Sequence, residues 1–67
     1  MSIVVNGVEH RFEAGTIYEL LKSLGLDPER PGLAVAVNGE VIGRGRWREH
    51  QLKPGDAIEI VTAVSGG

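Results

Sequence analysis

The chain opens on a β-branched apolar run, Ile3-Val4-Val5, broken at once by Asn6-Gly7. Asn-Gly is the strongest short-range hairpin signal, because a type I′ turn needs positive φ at both central residues. From Val8 to Glu13 the positions alternate, with Val8, His10 and Phe12 on one side and Glu9, Arg11 and Glu13 on the other. A period of two predicts a half-buried return strand. The period then changes. Ile17, Leu20, Leu21 and Leu24 fall at i, i+3, i+4 and i+7, a single helical stripe. Thr16 and Glu19 frame its start as a capping box, the hydroxyl accepting from the Glu19 backbone while the carboxylate reaches back. Gly25 suits the left-handed position just past the helix, with Leu26 folding back on Leu21. The helix is predicted from Ile17 to Leu24 or Gly25, with Lys22 and Ser23 facing water.

Two prolines and a glycine make Asp27 to Gly32 a loop. Leu33-Ala34-Val35-Ala36-Val37 alternates large and small, which predicts a strand with Leu33, Val35 and Val37 toward the core. A second Asn-Gly, Asn38-Gly39, turns it into the short strand Glu40-Val41-Ile42. The segment from Gly43 to His50 has no clear period and is assigned at most one helical turn around Trp47 and Arg48. Pro54-Gly55 fits the centre of a type II turn. The last strand is predicted from Ala57 to about Val64, with Ile58 and Ile60 on one face and Glu59 and Val61 on the other. Ser65-Gly66-Gly67 is expected to be mobile.

The order is β-β-α-β-β-β, two hairpin-like units around one helix. A single apolar helix stripe needs a sheet to cover, so the class is α+β, with four to five strands in a mixed sheet and the helix on one face. The arrangement suits the β-grasp (ubiquitin-like) fold, in which the first and last strands lie side by side at the sheet centre. The 67 residues are read as one domain, 1–67, with a flexible tail over 63–67. So small a domain buries only about 60% of its unfolded surface and needs an efficient core.

Composition narrows the function classes. There is no cysteine, which excludes disulfides and thiolate metal sites. His10 and His50 are far apart and follow no ligand spacing, so they read as surface residues and no metal is expected. The net charge is −2 with both signs interspersed, which offers no broad attraction to nucleic acid. No apolar run approaches the ~20 residues of a membrane span, and the start lacks the basic region of a signal peptide. A cytoplasmic location is the expectation.

The chain ends in Gly66-Gly67. A terminal glycine pair arises by chance about once in 200 chains at average usage. Without side chains it can enter a narrow channel and present a bare carboxylate. With the β-grasp body, it makes the chain resemble the ThiS/MoaD family of small sulfur carriers, and within that family the carriers of thiamine biosynthesis. The resemblance is carried by Val5-Asn6-Gly7, the helix from Thr16 to Leu24, Ala36 to Ile42, Arg44 with Trp47, Leu52 with Gly55-Asp56, and Ile58 through Gly67. It covers nearly the whole chain. Gly43 departs from it, standing where many such chains place proline.

The resemblance implies a mechanism. A carboxylate with a pKa near 3.3–3.7 is anionic at neutral pH and a poor acyl donor. An E1-like, ThiF-type adenylyltransferase would use ATP to convert Gly67 to an acyl-adenylate. A persulfide sulfur supplied through a cysteine desulfurase would displace AMP to leave a thiocarboxylate. A ThiG-type thiazole synthase would then take the sulfur into the thiazole ring of thiamine. On this reading Gly67 is the modified residue, Gly66 and Ser65 thread the partner's channel, and the chain itself binds no cofactor. Extended, residues 63–67 reach roughly 17 Å. With no defensible nucleophile–base pair, the chain is a co-substrate and not an enzyme.

Docking needs a surface. If Ile3, Val5, Val35, Ile58 and Ile60 face the helix, the opposite face carries Val4, Ala34, Ala36, Val61 and Ala63, which are read as the partner-docking patch. The plainer alternative is a mildly apolar face of no consequence. Arg44, Arg46 and Arg48 around Trp47 read first as a solvated loop with Trp47 at the core edge, and second as a site for an acidic partner or RNA phosphates. Competing functions are sulfur transfer for molybdopterin, tRNA thiolation or cysteine synthesis, protein modification through the same terminus, and an RNA-binding or regulatory module of the S4 or TGS type.

Overall fold

The computed structural model describes residues 1–63. Its elements are β1 (Ser2–Val5), β2 (Val8–Arg11), α1 (Ile17–Ser23), β3 (Leu33–Val37), β4 (Glu40–Ile42) and β5 (Ala57–Thr62), with a single 3-10 turn at Arg44–Arg46. The strands form one mixed sheet in the order β2-β1-β5-β3-β4. The first and last strands pair in parallel at its centre, Val4 beside Ala57 and Val5 beside Ile58. On its other side β5 runs antiparallel to β3, from Leu33 opposite Thr62 to Val37 opposite Ile58. This is the β-grasp arrangement.

Both Asn-Gly pairs turn as predicted, with Asn6 at φ 49° and Asn38 at φ 51°. Their side chains do a second job. Asn6 Oδ1 accepts the Ile60 N–H at 2.8 Å and its Nδ2 donates to the Ile60 carbonyl at 3.2 Å, extending the β1–β5 ladder by one rung. Asn38 Oδ1 accepts the Ala57 N–H at 2.9 Å from the other side. Each hairpin therefore fastens the central strand through its turn.

The helix has seven residues, and every free N–H of its first turn is satisfied. Thr16 Oγ1 accepts from Glu19, the Thr16 carbonyl accepts from Leu20, and the Glu19 carboxylate accepts the Thr16 N–H at 2.9 Å. The Ile17 and Tyr18 N–H groups donate to the His50 and Trp47 carbonyls, each at 3.1 Å. The segment after β4 thus completes the cap that Thr16 begins. At the other end the Leu26 N–H returns to the Leu21 carbonyl and that of Gly25 to Lys22, the paired bonds of a Schellman stop.

Ile17, Leu20 and Leu21 of α1 pack on Ile3, Val5, Leu33, Val35, Val37, Ile42 and Ile58 of the sheet, with Trp47 and Leu52 in the same cluster. Trp47 is only 2% exposed, and its Nε1 donates to the Ile42 carbonyl at 2.9 Å. The turn of helix in this region lies at Arg44–Arg46, just ahead of the Trp47–Arg48 position expected for it. β2 is shorter than its alternation predicts, and Val8 is 59% exposed. It pairs with buried Val5 at the outer edge of the sheet, where α1 leaves it uncovered.

Candidate functional site

Alternation along the central strands gives the sheet a second face, away from α1. Register places Ala34 directly opposite Val61, Ala36 opposite Glu59, and Ala36 opposite Val41 on the far strand. Ala34, Ala36, Val41, Glu59 and Val61 line one shallow, mostly apolar groove. Val61 is 61% exposed and Val41 75%. Large apolar side chains left this open are unusual in so small a fold, where core material is scarce.

The structure therefore brings Ala34, Ala36 and Val61 together as the sequence predicts. Val4 lies on the same face but is half-buried, and it pairs with Ala57 rather than with this cluster. The four-residue offset from Ala57 to Val61 separates it by about 13 Å along the strand. Its neighbour is Glu9 across the β1–β2 pair, whose carboxylate accepts from Ser2. Val41 and Glu59 are groove residues that sequence reasoning missed. The signal was available: a two-residue turn at Asn38-Gly39 fixes Val41 opposite Ala36.

Ala63 is exposed, and it is not free. Its N–H donates to the Gly32 carbonyl at 2.8 Å, one rung beyond the last β3–β5 pair. The flexible stretch expected from residue 63 thus has its first residue pinned to the loop before β3. Ser65, Gly66 and Gly67 lie outside the described residues.

The arginine segment resolves into different roles. The Arg44 guanidinium stacks on the Trp47 ring at 4.8 Å and donates to the carbonyls of Pro28, Arg30 (2.6 Å) and Leu33 (3.5 Å). Arg48 lies over the Tyr18 ring at 4.2 Å, bonds its hydroxyl at 3.2 Å and pairs with Glu29 at 3.2 Å. Two of the three arginines on which an RNA-binding reading rested are thus engaged within the chain. Arg46 lines a mixed-charge groove with Glu40, Glu49, His50, Lys53 and Asp56. Both histidines are half-buried rather than fully at the surface. Among the described residues no three His, Asp or Glu side chains gather to hold a metal ion, and no helix is long and apolar enough to cross a membrane.

Comparison with known proteins decides what this geometry belongs to. The ThiS family model matches residues 3–67. The chain belongs to the ThiS family. It is a small sulfur carrier of thiamine biosynthesis, not a catalyst. It is 34% identical to the sulfur carrier protein ThiS of Escherichia coli, over the whole of both chains. To ThiS of Bacillus subtilis it is 42% identical, over 90% of this chain and 88% of that one. A crystal structure of the thiamine biosynthesis protein ThiS from Geobacter metallireducens superposes with a TM-score of 0.83 at 31% identity, covering both chains in full. The chain is also 43% identical to a thiazole synthase of Magnetococcus marinus, where it spans 20% of the larger protein.

Proposed function

We propose that this ThiS-family chain carries sulfur on the carboxyl carbon of Gly67. The observation that carries the reading is the family match, which runs through the β-grasp body to the final Gly66-Gly67. A ThiF-type enzyme adenylates the Gly67 carboxylate with ATP, replacing a poor leaving group by AMP. The outer sulfur of a persulfide, supplied through a cysteine desulfurase, displaces AMP to form an acyl disulfide, and a second thiol then cleaves its S–S bond, itself ending in a disulfide, to release the thiocarboxylate. Gly66 and Ser65 thread the partner's channel, and a ThiG-type thiazole synthase consumes the sulfur in building the thiazole ring. The chain itself holds no cofactor. The likeness to a stretch of the Magnetococcus marinus thiazole synthase supports this acceptor over the other sulfur pathways.

The body docks through the open sheet face. Ala34, Ala36 and Val61, with Val41 and Glu59 beside them, form the patch, Val4 lies at its far end, and Ala63 leads from it toward Gly67. What supports this is that the face is apolar where folding gains nothing from it.

Accurate intact mass tests the carrier reading. The chain is incubated with the activating enzyme, ATP and a persulfide source, then treated with a thiol-alkylating reagent. No cysteine competes. An alkyl adduct mapped to Gly67 is the expected result. Alkylation also separates the thiocarboxylate from Met1 oxidation, which gives nearly the same mass gain. Absence of any adduct with competent partner enzymes would overturn the reading.

A further inference from the structure

Arg44 holds the carbonyls on both sides of the Pro31-Gly32 corner, those of Arg30 and Leu33, together with that of Pro28. Three main-chain acceptors on one planar guanidinium is a fork geometry that a lysine cannot reproduce. Its other face is fixed by Trp47, which is buried in the core. The corner it holds is the one that meets the end of β5. The Gly32 carbonyl accepts the Ala63 N–H at 2.8 Å, and a Cβ added at Gly32 would stand 3.1 Å from the Ala63 Cβ. Gly32 takes φ +83°, so glycine is needed there for conformation as well as for space. The contacts thus run from the core through Trp47 and Arg44 to the Arg30 and Leu33 carbonyls on either side of Gly32, and Gly32 in turn holds Ala63, the last described residue.

We propose that Arg44 is a positioning residue for the sulfur-loading reaction: through the Pro31-Gly32 corner it fixes the point and direction at which the chain leaves the sheet at Ala63, four residues before the group that is loaded. The inference rests on the reading of Gly67 as the loaded group. Arg44 acts by holding the Gly32–Ala63 rung, the base from which Gly67 must reach the enzyme's site once the body has docked. Positioning of this kind acts on the rate within the docked complex and leaves the docking affinity alone.

The test measures docking affinity and, at saturating activating enzyme, the single-turnover rate of Gly67 adenylation, for the parent chain and for Arg44→Met, Arg44→Lys and Gly32→Ala. Hydrogen exchange of the Ala63 amide is followed alongside that of Val35 in the core. Both Arg44 variants are expected to lose about tenfold in rate with unchanged affinity, and to lose protection at Ala63 while Val35 keeps it. Gly32→Ala disturbs the same contact from the other end with Arg44 intact, and is expected to share the rate defect. It decides the matter should the Arg44 variants fail to fold. A full rate in Arg44→Lys would assign the role to charge and overturn the proposal. So would a parent-like rate in Arg44→Met or Gly32→Ala, or a loss seen only in docking affinity. A parent chain that never loads Gly67 would overturn the carrier chemistry itself, and the proposal with it.

Discussion

The two faces of the sheet are built from the same strands, yet only one of them is covered by the helix. On one face Ile3, Val5, Val35, Val37 and Ile58 are buried against α1. On the other Ala34, Ala36, Val41 and Val61 line an open groove. The covered face uses large β-branched side chains, whereas the open face sets two alanines of β3, Ala34 and Ala36, between exposed valines on the flanking strands, Val61 on β5 and Val41 on β4. The alanines leave a shallow trough between the exposed valines. Apolar character alone therefore does not define the core; register and what lies above each position do.

Substitutions can break or sharpen this contrast. The largest effect is expected from Trp47→Ala, which empties a buried aromatic site and removes the platform under Arg44. A loss of about 3–5 kcal/mol should appear in chemical denaturation. Ile58→Ala, at the centre of the covered face, should cost about 2–5 kcal/mol in the same measurement. Val61→Asp reverses the pattern. Stability should stay within about 0.5 kcal/mol, while affinity for the activating enzyme falls at least about tenfold, or ~1.4 kcal/mol. Unchanged affinity in a titration would remove the open face from docking. Thr16→Ala, which deletes half of the capping box, should lower stability by about 1 kcal/mol. Val41→Ser is expected to change the denaturation midpoint least, by less than about 0.5 kcal/mol, because its side chain packs on nothing that folding needs.

Local chemistry explains what was legible in the sequence. The two Asn-Gly turns, the Thr16–Glu19 box, the Gly25 stop and the Pro54-Gly55 turn each rest on residues a few positions apart, and each formed as expected. The pairing of the first and last strands followed from the element order. The segment from Gly43 to His50 was harder to read because its roles are tertiary. Trp47 and His50 offer their carbonyls to the start of α1, and Arg44 reaches a loop before β3. No periodicity records such partners. Val4 shows the same limit. Parity put it on the correct face, but only the parallel register with Ala57 shows how far it stands from Val61.

The parallel pairing of Val4-Val5 with Ala57-Ile58 also sets the timing of folding. The middle strand of the sheet is the last to be synthesised, so the hairpins on either side have no common partner until residue 62 has emerged. Closure over so long a separation is slow relative to local hairpins and helices. A nascent or truncated chain lacking β5 would leave the underside of α1 without its central support. The central support of the fold therefore arrives last, with β5.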